Sequence, residues 1–340
     1  MFRVFQGQTA DDVWQEAASA FRQGDGIIQS SRVGETREIL HSAMSIADPT
    51  QRWVISRFPP INPAFAIAEV VWLITGRNDS AFLNYFNQQL PKYAGRGPTY
   101  HGAYGYRLRH HLGIDQLERA YQALKGKPHS RQAVLQIWDG KVDLPDTSGE
   151  EASPDVPCNI MSILKVRRGK LEWMQILRSN DLYRGLPYNL VQFTSLQEVI
   201  AGWLEVEVGE YNQVSNSLHV YSQDLGNINN SLPSEATVNT DSLAFPKKDS
   251  EEYFKELSKQ IEFIINPNIS ADELMLKAKR LSLPQPFRNQ FCLLCAEGSR
   301  RRGRFDIATK IMANCTNSAY RQLYDRWLMR FPKPVSSIHP

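Results

Sequence analysis

The sequence has little cysteine, little net charge and no long apolar run. Four cysteines in 340 residues (Cys158, Cys292, Cys295 and Cys315) are too few for a disulfide scaffold, and the expectation is four thiols. No apolar stretch approaches bilayer-spanning length, which excludes a helical membrane anchor. Met1 to Gln8 lacks the basic start and apolar core of a secretory signal, so the reading is cytoplasmic. A formal charge of +3, from 39 basic and 36 acidic side chains, gives no general reason to expect nucleic-acid or membrane binding. A small anionic ligand needs only local arginines. No solenoid repeat is present, and the pair with redox- or metal-like spacing, Cys292-Leu-Leu-Cys295, lacks the two further ligands a zinc site needs, with only Cys315 nearby.

What remains is a chain with 42% hydrophobic and 22% charged residues, long enough for one large domain or two unequal ones. Thr9 and Asp12 have capping-box spacing ahead of a helix over 10–23. Residues 63–75 are apolar nearly all round, with Glu69 embedded, and predict a buried helix. A further helix is expected over 80–90, and the Gly-, Pro- and Tyr-rich stretch 91–106 reads as a loop. Residues 131–138 suit a strand, and 140–157 a surface loop. Strands over 159–167 and 171–178 flank a hairpin turn at Arg168-Gly169-Lys170. A helix runs from Pro187 to about Leu204, and a strand from 209 to 221. Residues 222–248 read as a linker, and 249–332 as several short helices.

Cys158, in Pro157-Cys158-Asn159, sits at the edge of a strand, where a cysteine is usually a small buried hydrophobe. Its downstream company changes that reading. Arg178-Ser179-Asn180-Asp181 closes the hairpin, Gly185-Leu186-Pro187-Tyr188-Asn189 opens the next helix, and His219-Val220-Tyr221 closes a later strand. An arginine beside a hydroxyl makes a sound phosphate clamp, and its charge near a thiol favours thiolate. A carboxylate on an apolar helix, as at Glu69, has a raised pKa.

In order and spacing these motifs resemble the thymidylate synthase family, most closely from Asp155 to Tyr221 and less closely from about Gln29 to Trp138. The resemblance implies an α/β sandwich with a large mixed sheet and flanking helices. It assigns 1–248 to a catalytic domain and leaves 249–340 as a helical extension of open purpose. It also implies that Cys158 attacks C6 of a pyrimidine nucleoside monophosphate, making C5 nucleophilic toward a one-carbon unit from 5,10-methylenetetrahydrofolate. Arg178 and Ser179 resemble phosphate ligands, as does Arg32 in a phosphate loop. Arg131 resembles an arginine lent by the partner in a homodimer. Asn189 resembles the base reader, and an amide there favours uracil over cytosine. His219 and Tyr221 resemble sugar ligands, Glu69 the water-organising carboxylate and Tyr104 the active-site tyrosine. Asp181 resembles the pterin contact, with Gly185 beside it on the cofactor side.

The departures from the family pattern cluster on that cofactor side. Asn159 replaces a histidine, Gln132 a second arginine, and Ser215-Asn216-Ser217 a Gly-Gly-Asp loop. No tryptophan lies between Trp72 and Trp138, and the helical extension stands where the family has a short apolar closing tail. Three readings follow. The first is thymidylate synthase chemistry on dUMP, and the second is hydroxymethylation of dUMP, dCMP or CMP. The third is an inactive nucleotide-binding protein, which retention of Cys158, Glu69 and Asn189 opposes. Cys292-Leu-Leu-Cys295 reads as core packing, Arg300-Arg301-Arg302-Gly303-Arg304 as a solvated turn, and His110-His111 carries no assigned role.

Overall fold

A computed structural model describes residues 1–31, 34–151, 153–230, 232 and 237–331. Its strands are β1 (Arg3–Gly7), β2 (Ile27–Ser31), β3 (Gly34–Ile46), β4 (Ala133–Gln136), β5 (Asn159–Arg167), β6 (Lys170–Leu177), β7 (Asn180–Asp181) and β8 (Glu207–Tyr221). They form one mixed sheet in the order β1-β3-β8-β6-β5-β4. β2 shares β3 with β1, and β7 shares β8 with β6. β6 and β7 run parallel to β8, whereas β3 runs antiparallel to it. The β5–β6 hairpin turns through Arg168 (φ 52) and Gly169 (φ 74). Two consecutive positive φ values match the right-handed twist of the flanking strands.

The longer helices are α1 (Ala10–Arg22), α2 (Pro63–Ile74), α3 (Gln116–Gly126) and α4 (Leu186–Leu204). Five more follow: α5 (Lys247–Ile265), α6 (Ala271–Arg280), α7 (Gln285–Arg301), α8 (Phe305–Met312) and α9 (Ser318–Leu328). Thr9 and Asp12 close the expected capping box on α1. Asn62 caps α2 by accepting from Phe65 N–H, and Pro63 occupies the first turn, where a missing N–H costs nothing.

α2 is buried nearly all round because it lies between α4 on one side and α5, α7 and α9 on the other. The helices after residue 247 therefore join the same core as the sheet, through Phe254, Leu257, Ile261, Phe287, Phe291 and Leu294. Cys292, Cys295 and Cys315 are buried in that core and none of the four cysteines forms a disulfide. Burial pushes the Cys292 thiol up to about 11, so core packing is what the structure shows for this pair.

Three strands, β1 to β3, were not expected from the sequence. The helix expected over 80–90 spans Ser80–Asn84 only. The basic run is not a solvated turn. Arg300 and Arg301 chelate the buried Glu297 carboxylate at 2.7 and 2.8 Å, and Arg302 donates to the carbonyls of Ile264, Asn266 and Ile269.

The two sheet faces differ. The row Leu135–Ser162–Gln175–Gln213–Met44–Phe5 is buried across six strands. The neighbouring row, Gln136–Met161–Ile176–Val214–Ala43–Val4, is half-buried to exposed. Val134, Ile163 and Met174 extend the second face, which is apolar yet uncovered. No helix among the described residues is long and apolar enough to cross a membrane.

Candidate active site

Cys158 ends the loop that leads into β5 and is half-buried. Its carbonyl accepts Arg178 N–H at 2.9 Å, so the ends of β5 and β6 close on each other. The Arg178 guanidinium turns back on the same loop. Nε donates to Pro157 O at 2.8 Å and an Nη to Val156 O at 3.0 Å, while the group lies 5.5 Å over the Trp138 ring. Arg178 thus grips the two residues before the thiol and places its fixed positive charge beside them.

β8 delivers the next group. Asn180 and Asp181 in β7 pair with Leu218 and His219, and Ser179 Oγ lies 3.4 Å from His219 Nδ1. Asp181 Oδ1 accepts the N–H groups of Tyr183 and Arg184, both at 2.8 Å. Burial raises the Asp181 carboxyl, with the His219 charge opposing that shift. Burial lowers His219, with Asp181 and Glu38 opposing. The His219 and Tyr221 rings meet edge to face at 5.5 Å. Arg184 stacks 4.5 Å over Tyr221 and pairs with Asp224 at 2.7 Å, which fixes the tyrosine from outside.

α4 supplies Asn189, only 9% exposed, one turn after Gly185. A side chain added at Gly185 would enter the space between Asp181 and Asn189, 3.9 Å from each side chain.

α2 supplies Glu69 on its face toward α4. Burial raises this carboxyl well above the usual range, and the Gln192 side chain opposes the shift. Its Oε2 is buried with no hydrogen-bond partner among the described residues. Tyr104 follows from a short helical turn and is raised by burial first and by its proximity to Cys158 second, with the Asn159 amide opposing and Glu69 adding to the rise. The phenol therefore lies within electrostatic reach of both the thiol and the carboxylate. Gly105 makes this possible, because a Cβ there would lie 2.1 Å from Leu73 O.

The structure thus gathers Cys158, Arg178, Ser179, Asp181, Gly185, Asn189, His219 and Tyr221 around the ends of β5 to β8, with Glu69 and Tyr104 facing them. Arg131 is exposed just before edge strand β4 and joins no contact with this group. Arg32 lies outside the described residues. Sequence reasoning missed Gln192 and Arg184. Gln192 falls one turn after Asn189 on α4, and helical periodicity from Asn189 was the available signal. Among the described residues, no group of three His, Cys, Asp or Glu side chains could hold a metal.

A sequence model described as thymidylate synthase matches residues 27–266. A protein named deoxyuridylate hydroxymethyltransferase, from Bacillus phage SP01, is 33% identical over 236 residues, covering 66% of this chain and 60% of that protein. One of the same name from Pseudomonas phage M6 is 36% identical over 182 residues, covering 53% and 50%. A putative thymidylate synthase from Methanothermobacter marburgensis is 31% identical over 201 residues, covering 57% and 82%. The chain therefore spans between half and three-fifths of the length of the two phage relatives.

Proposed function

Because this chain belongs to the thymidylate synthase family, we propose that it transfers a one-carbon unit to C5 of a uracil nucleotide, with Cys158 as the transient nucleophile at C6. The convergence of Cys158, Tyr104, Glu69 and Asn189 from four separate elements is the observation that carries the reading. A site that only bound nucleotide would have no use for a thiol beside a buried phenol and an uncompensated carboxylate.

Sulfur adds to C6 and the electron pair moves through C5 to the C4 carbonyl oxygen. A thiolate suits this step because it attacks strongly and leaves easily. C5 then bonds to the one-carbon unit and loses its proton, the bond from that carbon to the folate nitrogen breaks to leave an exocyclic methylene, and addition of hydride (methyl product) or water (hydroxymethyl product) to that methylene returns the electron pair that expels sulfur from C6. Asn189 can donate to O4 and accept from N3–H, which holds the pyrimidine with C6 toward Cys158. Glu69, whose carboxyl burial raises well above its ordinary range, can give a proton toward O4 as charge gathers there. Arg178 and Ser179 fit a phosphate, and His219 and Tyr221 a sugar hydroxyl. For the co-substrate, the residues present fit methylenetetrahydrofolate. Asp181 retains an oxygen beyond the one that holds the Tyr183 and Arg184 amides, and Gly185 leaves the adjoining space open. The folate supplies the one-carbon unit.

Two observations favour a hydroxymethyl over a methyl product. No tryptophan lies between Trp72 and Trp138 to screen the cofactor side from water, and two of the relatives carry the hydroxymethyltransferase name. The test is the mass of the product from dUMP, or from dCMP, with methylenetetrahydrofolate. An oxygen-bearing gain on dUMP supports hydroxymethylation, and a methyl gain supports synthase chemistry. No conversion of either nucleotide sinks the proposal. With 5-fluoro-dUMP and the folate, the wild-type chain forms a covalent adduct that Cys158→Ser cannot form.

We also propose a homodimer built on the uncovered sheet face. An apolar surface crossing six strands is larger than single exposed residues explain, and a shared face is the commonest symmetric solution. Arg131, exposed and unused in its own site, would then serve the partner's phosphate.

A further inference from the structure

Asp155 lies three residues before Cys158 and does not belong to the constellation above. Its Oδ2 accepts Gly102 N–H at 2.7 Å. Gly102 lies two residues before Tyr104, so this bond joins the loop that carries the thiol to the loop that carries the phenol. The loops touch at the backbone. A Cβ on Gly102 would lie 2.8 Å from Asp155 O and 3.0 Å from its Oδ1. The Asp155 charge also reaches the Tyr104 hydroxyl.

The groups facing Asp155 are His101, Arg107, Asp143, Tyr100 and Tyr104. They do not neutralise it directly. Arg107 is 1% exposed and its guanidinium is committed to both oxygens of Asp143 at 2.6 and 2.8 Å. His101 Nε2 is bound to the same carboxylate at 2.8 Å. Asp155 therefore keeps one strong partner, the Gly102 amide. A largely buried carboxylate with a single amide donor is costly to hold, and such groups cluster where geometry matters for chemistry. Its ionisation falls at about 6, because burial raises it more than the Gly102 amide, His101 and Arg107 lower it. An ionised acceptor binds an amide about twice as strongly as a neutral one.

We propose that Asp155 is a positioning residue which, when ionised, draws the Tyr104 loop onto the Cys158 loop and sets the thiol–phenol geometry needed for attack at C6. This rests on the proposed reaction and adds its pH dependence. As pH falls through the neutral-to-acid range, Asp155 protonates, the bond to Gly102 weakens and the loops part. As pH rises, the contact tightens and the attack quickens until another group limits it.

The experiment is the rate of 5-fluoro-dUMP adduct formation with methylenetetrahydrofolate between pH 5 and pH 8. It is run on wild type, Asp155→Asn, Asp155→Ala and Gly102→Ala. If wild type forms no adduct, the proposed reaction fails and not this inference alone. Given an adduct, wild type should show an acid limb near the Asp155 ionisation. Asp155→Asn offers Gly102 only a neutral acceptor, so it should stay at the slow rate that wild type shows below the Asp155 ionisation and lose that limb. Asp155→Ala and Gly102→Ala should each slow attack at least tenfold, with dUMP KM changed less than threefold. Thermal melts on all four proteins identify any variant that has unfolded, and Gly102→Ala presses the two loops apart from the Gly102 side while the carboxylate is retained. An unaltered acid limb in Asp155→Asn, or wild-type rates in a folded Asp155→Ala or Gly102→Ala, would overturn the proposal.

Discussion

Glu69 is held in a place that resists its ionisation. In the unfolded chain it ionises near the ordinary glutamate value, whereas in the fold burial raises it well above 4.5. The unfolded state therefore releases a proton first as pH rises, and wild-type stability falls between those two pKa values. Glu69→Gln removes that dependence. The variant should melt above wild type at pH 8 and converge with it near pH 4, while product formation drops roughly a hundredfold or more. Equal melting at both pH values would show that the carboxylate is not confined as described. His219 works with the opposite sign: burial lowers it, so its contribution to stability is lost as pH falls below its ordinary range. At Asn189 the test is specificity. Asn189→Asp should shift kcat/KM from dUMP toward dCMP, and unchanged preference would remove its role in reading the base.

At the level of elements, much of the site could be read beforehand because motif residues sit at strand and helix ends. The hairpin at 168–170, the helix to Leu204 and the buried helix at 63–75 carry strong local signals: a glycine turn, a proline start and an unbroken apolar run. β1, β2 and β3 carry none. β2 is exposed along its length, so it lacks the alternation that marks a half-buried strand. Asp155 escaped notice for a related reason, since its partner Gly102 is 53 residues away and only the fold brings them together. A second element-level consequence concerns α4. Gly202 packs so closely on the segment before α5 that a Cβ would lie 2.5 Å from Ala244 Cα and Phe245 N. Gly202→Ala should cost about 2 to 3 kcal/mol, measured as a lower urea midpoint with unchanged slope. A smaller loss would mean that the 244–245 backbone yields.

Across the whole molecule, the helices after residue 247 cover the side of α2 that faces away from α4. We propose 249–340 as an extension by sequence, yet its described helices, up to Leu328, physically close the core. A chain ending at residue 248 would strip α5, α7 and α9 from α2, and it should show no cooperative melting transition. A soluble, cooperatively folded 1–248 fragment would contradict that packing argument. The uncovered sheet face gives a parallel test. Met174→Lys should convert a dimer to a monomer in sedimentation and leave the fold intact, and a monomeric wild type would refute the proposed pairing. Composition and charge could not foretell either surface, because both depend on which rows of the sheet the helices happen to cover. The contact of Gly105 with Leu73 carries one more lesson, for anyone engineering this protein. It welds the phenol and the carboxylic acid into a single wall, so a library randomising position 105 alone should return glycine in every active clone.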